Sequence, residues 1–92
     1  MLIIAQHHIS NPDRFWKTAE EKTKNLPDGL YVHGIYPSKD RRTGTCLWEA
    51  ENAKKVQDFL DKHVGDSAKN FCYEVNQEQA IGLPEVELHD HL

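Results

Sequence analysis

Six histidines, two cysteines and fifteen acidic residues among 92 positions are the groups in this chain suited to proton transfer, metal ligation or nucleophilic attack. The histidines are His7, His8, His33, His63, His89 and His91. Imidazole exchanges protons near neutral pH and suits zinc, copper, iron and nickel as a ligand. Two histidines with one carboxylate make a metal-binding set, and His8 and His33 with Glu74 or Glu49 supply the residue types. His33, Glu49 and His63 are candidate general acids or bases, a role that needs an imidazole or carboxyl in a closed apolar pocket. The plainer reading of the scattered histidines is polar groups hydrated at an interface, because no tight spacing such as His-x-x-x-His occurs. His89-x-His91 lies in an acidic stretch with Glu85, Glu87 and Asp90, which reads as a solvated tail able to take up a stray divalent ion. No glycine-rich phosphate loop, nucleophile elbow or Cys-x-x-Cys is present. No motif requires a cofactor, and a divalent metal ion is the group the histidines are suited to hold.

The elements that must position these groups follow from periodicity and punctuation. Met1–Ile9 reads as a strand of β-forming residues. Asn11-Pro12-Asp13 reads as a helix start, with Asn11 as cap and Pro12 at the first helical position. Phe15, Ala19, Lys22 and Leu26 fall on one stripe of that helix, and Pro27-Asp28-Gly29 ends it. Leu30–Tyr36 and Thr43–Ala50 read as strands joined by the polar loop Pro37–Arg42. Asn52 caps a second helix whose apolar face holds Ala53, Val56, Phe59, Leu60, His63 and Val64, with Gly65 at its end. Phe71–Val75 alternates as a fourth strand. The order β-α-β-β-α-β predicts an α+β, ferredoxin-like domain over residues 1–76: a four-stranded antiparallel sheet with two helices on one face. Strand 3 should lie between strands 1 and 2, with strand 4 on the far side of strand 1. Residues 77–92 form a C-terminal tail, expected to pack on a subunit through Gln77–Leu83 and to be mobile beyond Pro84.

Alternate residues of a strand point to opposite faces, so each strand divides into a helix-covered set and a second set. The helix side should carry Ile3, Ala5 and His7; Leu30, Val32 and Gly34; Cys46, Trp48 and Ala50; and Phe71, Tyr73 and Val75. The second face should carry Leu2, Ile4, Gln6 and His8; Tyr31, His33 and Ile35; Thr45, Leu47 and Glu49; and Cys72 and Glu74. A hairpin centred near Asp40 pairs Tyr31 with Glu49, His33 with Leu47 and Ile35 with Thr45. So much Leu and Ile on a face mixed with His and Glu predicts a homodimer, two sheets face to face around a polar-lined pocket. The expected ligand-binding residues are Gln6, His8, Tyr31, His33, Leu47, Glu49, Cys72 and Glu74; the expected metal set is His8, His33 and Glu74. His8 and Glu49 lie near opposite rims, too far apart to share a metal within one subunit.

Composition excludes several classes. The longest apolar run, Met1–Ala5, is too short to span a membrane, and neither a basic leader nor a long apolar leader core is seen. A net charge of −4 argues against a nucleic-acid surface. Arg42-Thr43-Gly44-Thr45-Cys46-Leu47-Trp48 faintly echoes RNA-binding ferredoxin-like domains, but strand 1 offers no stacking aromatic. Cys46 and Cys72 are expected on opposite faces of non-adjacent strands, which argues against a disulfide. The expected location is the cytoplasm.

The strand order, Leu26-Pro27-Asp28-Gly29-Leu30 entering the second strand, and Cys46-Leu47-Trp48-Glu49-Ala50 leading to a helix with His63 together resemble the dimeric α/β-barrel superfamily. That group includes antibiotic-biosynthesis monooxygenase-like proteins, small isomerases and cyclases, and small nickel-binding or uncharacterised bacterial proteins. The resemblance covers residues 1–76 and is one of architecture. It implies a ligand cavity inside a two-sheet barrel, with Glu49 matching an acidic residue at the end of strand 3 and His63 a histidine late in the second helix. Three functions follow as expectations. The first is binding of a small molecule or metal ion in the barrel. The second is a cofactor-free monooxygenase-like or isomerase-like enzyme acting on a small aromatic or lactone substrate. The third is a purely structural dimer.

Overall fold

In a computed structural model, which describes residues 1–89, the chain begins with strand β1 (Leu2–Ile9). Helix α1 (Pro12–Thr23) starts where Asn11 accepts the Arg14 backbone N–H at 3.2 Å and Pro12 enters the first turn. The chain then turns through Gly29, whose φ of 86° lies where residues with a Cβ are strained. Strands β2 (Tyr31–Pro37) and β3 (Thr43–Glu49) follow, then helix α2 (Ala53–Val64), capped by Asn52, and strand β4 (Ala68–Glu74). The sheet order is β2-β3-β1-β4 with every pairing antiparallel. This is the ferredoxin-like arrangement that the element order predicts. Among the described residues no helix is long and apolar enough to cross a membrane.

Both helices pack on one face. Ile3, Ala5 and Ile9 of β1 and Cys46 and Trp48 of β3 meet Phe15 of α1 and Val56, Leu60 and Val64 of α2. His7 is buried among them, with its ring 5.0 Å from that of Phe15. Its Nδ1 lies 2.7 Å from Asn70 Oδ1 and its Nε2 3.3 Å from Cys46 Sγ. Asn70 Nδ2 donates to Asp61 Oδ1 at 3.3 Å, which leaves Asn70 Oδ1 to accept from His7 Nδ1–H. His7 Nε2 then accepts the Cys46 thiol proton. Burial lowers the His7 pKa against the opposing Asn70 bond, and it pushes the Cys46 thiol up to about 12. A neutral imidazole and a protonated thiol are thus the stable pair.

Strand β4 corrects the expected register. Cys72 pairs with Ala5 and Glu74 with Ile3, so both belong to the helix side rather than the second face. Phe71 and Tyr73, expected in the core, lie on the second face and are 59% and 42% exposed. The cause is hydrogen bonding at a sheet edge. Gln57 of α2 donates to the Asn70 carbonyl at 2.7 Å and accepts the Cys72 N–H at 2.9 Å. Its amide thereby takes the place of a neighbouring strand. With Asn70 also held by His7, the odd-numbered aromatics must turn outward. Cys46 and Cys72 share the helix side, contrary to expectation, but both are free because Ala5 of β1 stands between them. Two strand spacings, about 9.6 Å, exceed the reach of a disulfide.

Strand β2 keeps its expected register only to Val32. Tyr31 pairs with Glu49 and Val32 with Trp48, and then Gly34 rather than His33 stands opposite Leu47. His33 is the extra residue of a β-bulge, a device that re-aims a side chain. Beyond it the faces exchange. Ile35 pairs with Cys46 on the helix side, not on the second face, and Gly34 moves outward. A Cβ on Gly34 would collide with the Tyr36 ring folded over it.

The register makes a contrast measurable in urea melts. Ile3→Ala should cost about 2–5 kcal/mol as a core truncation, whereas Phe71→Ala should cost no more than about 1 kcal/mol. Equal losses would restore Phe71 to the core. A second expectation concerns acid. The folded state depresses the His7 pKa, so its contribution is whole above the ordinary histidine value of 6.5 and is lost as pH falls below it toward the depressed value. His7→Gln should flatten that part of the stability-versus-pH curve.

Candidate functional site

The sheet face away from the helices holds a carboxylate with no solvent contact. Glu49 ends β3 between Leu2 of β1 and Tyr31 of β2, and it is 0% exposed. An unpaired buried charge is costly, so its acceptors must be filled. Glu49 Oε1 accepts from His33 Nε2 and from His89 Nδ1, each at 2.9 Å. Glu49 Oε2 accepts the backbone N–H of His89 at 2.6 Å. The His89 ring stacks on Tyr31 with centroids 3.6 Å apart and planes 6° from parallel. The bulge in β2 places His33 beside Glu49, while Tyr31 sits directly opposite Glu49 in the ladder.

Burial alone would raise the Glu49 carboxyl. The His89 side chain, the His89 backbone and His33 together outweigh it and bring the carboxyl below its ordinary value. Glu49 is therefore an anion at neutral pH, and both imidazoles serve it as N–H donors.

Residues 75–89 return across this face. Val75 N–H donates to the Leu2 carbonyl at 2.9 Å, and Leu2 N–H donates to Gln77 Oε1 at 3.4 Å. Ala80, Leu83 and Val86, three residues apart, are half-buried, and His89 closes the span on Glu49. The segment explains why Leu2 and Leu47, on the face without helices, are only 2% and 3% exposed. The chain's own tail covers apolar residues that the sequence had assigned to a partner sheet. Beside Tyr31, His33 and His89 an open groove of about 420 Å³ runs to Pro27 and Gly29 of the α1–β2 turn.

Of the expected site residues, Tyr31, His33 and Glu49 come together. Leu47 shares their face, buried in the sheet centre. Gln6 and His8 share it too, but both are exposed, and His8 pairs with Thr43 and Lys69 at the far end of the strands. Six residues of β1 separate His8 from the row of Glu49, about 20 Å. Cys72 and Glu74 are on the opposite face, so the proposed ligand set loses both. The metal set His8, His33 and Glu74 is not assembled, and no group of three or more His, Cys, Asp or Glu among the described residues is arranged to hold a metal ion. His63 lies in the helix layer, its ring 4.6 Å from Phe59, with the sheet between it and Glu49. There it borders a cavity of about 30 Å³ with His7, Trp48 and Ile35, room for one water molecule. His89, read from sequence as part of a solvated tail, is central to the site instead. Nothing local in the sequence shows that this histidine, three residues after Val86, meets Glu49. His91, the other histidine of that motif, lies outside the described residues.

A family model described as "Domain of unknown function (DUF8652)" matches residues 5–83, a span that contains Tyr31, His33 and Glu49 but stops before His89. No curated protein and no solved structure matches the chain.

Glu49 fastens the tail only while ionised. Its depressed pKa means the contribution is whole above the ordinary carboxyl value of 4.5 and is lost as pH falls through the depressed one. Protection factors at Val86–His89, referenced to the intrinsic exchange rate at each pH, should therefore fall in acid by more than those of β1 and α2. Glu49→Ala should show the same selective loss of protection at neutral pH. A uniform loss of protection across the whole chain would contradict the local role.

Proposed function

We propose that this chain, which belongs to the DUF8652 domain family, binds a small planar molecule in the groove beside Tyr31, His33 and His89. The fully buried carboxylate on the sheet's outer face carries this reading. An apolar residue beside Leu2 and Leu47 would serve the fold with no charge to compensate, so a buried carboxylate at this position supports recognition of a ligand. A groove of about 420 Å³ has the size of a small-molecule site, with Tyr31 as a stacking wall, His33 and His89 as polar groups on its lining, and Glu49 behind them as the carboxylate both imidazoles bond. A homodimer belongs to the same proposal. Phe71 and Tyr73 stand exposed at the β4 edge of this face beside the half-buried Ile4, a surface against which a second sheet would lie in the dimeric α/β barrels the sequence resembles.

One observation favours a second reading. His33 Nε2 lies 2.9 Å from the buried Glu49, the arrangement that orients an imidazole for proton abstraction. A cofactor-free enzyme would use His33 as base and Glu49 as the residue that positions it. A binding protein would hold its ligand unchanged.

Ligand-detected NMR with a panel of planar heterocycles and aromatic acids tests the main reading. Hits should move the amides of Tyr31, His33 and Glu49, and Tyr31→Ala should weaken them about tenfold through loss of stacking. A panel without a single compound acting at these residues would refute small-molecule binding. Chemical conversion of a bound compound, lost in His33→Ala, would favour the enzyme. Light scattering should give twice the monomer mass, reduced to the monomer by Phe71→Asp.

A further inference from the structure

The occupant of the site shows which ligand chemistry the site accepts. His89 offers Glu49 two N–H donors side by side, one from its ring and one from its backbone, each to a different carboxylate oxygen. The donor-bearing ring lies flat on Tyr31. Two parallel donors on one carboxylate form the fork that amidines, guanidines and 2-amino-N-heterocycles present within a single flat group. His89 is the looser partner: its side chain is 46% exposed, whereas that of Glu49 is fully buried. Sheet residues hold Glu49, Tyr31 and His33 in place, whereas His89 belongs to a segment without regular structure. The groove beside the stacked rings leaves space for the rest of a molecule whose flat end displaced His89.

We propose that the Glu49 site takes a flat nitrogen heterocycle or amidine presenting two adjacent N–H donors, and that His89 is an internal stand-in displaced by this ligand. The proposal rests on the small-molecule reading above and adds the ligand class and the competitor. It also explains why the carboxylate is buried while its tail partner is half exposed: the carboxylate serves whichever donor pair is present.

The probes are 2-aminobenzimidazole, which carries the fork, and benzimidazole, which carries a single ring N–H. Calorimetry on the full chain should show 2-aminobenzimidazole binding about tenfold tighter than benzimidazole, the order expected for one charge-assisted hydrogen bond. His89→Ala should tighten 2-aminobenzimidazole by about tenfold, because the ring N–H competitor is gone. In the wild type the same probe should move the His89 amide signal to that of an unprotected residue. Glu49→Gln should abolish the preference between the two probes. Should that variant fail to fold, Tyr31→Leu should weaken both probes equally and keep the preference. Equal binding of both probes at Tyr31 and His33 would overturn the fork while leaving the small-molecule reading standing. Binding unchanged by His89→Ala would overturn the stand-in. No binding by either probe or by the wider planar panel would remove both readings.

Discussion

Glu49 sits where a sheet ordinarily places an apolar side chain, and it has no water to solvate its charge. That constraint organises the face it occupies. Three N–H groups must converge on two oxygens: one from β2, through the bulge that turns His33 toward it, and two from the last described residue of the tail. Without the bulge, His33 would pair with Leu47 in regular alternation. Without residues 75–89 crossing the sheet, Leu2 and Leu47 would meet solvent and Glu49 would keep only one donor. Tail path and carboxylate therefore depend on one another, while the bulge sets how His33 meets Glu49 on the face that alternation already gives it.

The helix side rests on a second polar constraint of a different kind. His7 lies between α1 and the sheet as a neutral ring, tied to Cys46 on one neighbouring strand and Asn70 on the other. It thereby connects three strands across the layer that the helices cover. Asn70, Asp61 and Gln57 extend the chain of bonds to α2, and Gln57 satisfies the free edge of β4. These bonds contribute specificity more than strength, since each exchanges a bond to water for a bond within the protein. Their consequence is the outward turn of Phe71 and Tyr73. Two aromatics that would have filled a core become surface on the face that carries Glu49.

The two faces thus differ in how they are closed. Packed helices close one, and its small cavity under Trp48 has room only for water. An irregular segment held at Gln77 and His89 closes the other, and it leaves an open groove beside the buried charge. Segments without regular structure open at lower free energy than packed helices. A site that must admit a ligand belongs on the second kind of face, and the convergent polar groups are found there.

Local chemistry in the sequence was enough to give the element order, both asparagine caps and the sheet order. Capping, helical spacing and the handedness of crossovers act over a few residues or follow from chain geometry alone. It also placed Tyr31, His33 and Glu49 on one face, because alternation holds in β3 and in β2 as far as Val32. Tertiary structure decided the rest. The bulge at His33 depends on what stands opposite in β3, so Ile35 could not be assigned by counting. The faces of β4 depend on Gln57, 13 residues from Asn70, and on His7, 63 residues from it, and hydrophobicity alone pointed the wrong way for Phe71, Tyr73, Cys72 and Glu74. His89 reached Glu49 across forty residues because a tail lacking periodicity folded back over the sheet. Hydrogen bonds between distant residues leave no spacing in a sequence, and such bonds hold β4 and the Glu49 site in place.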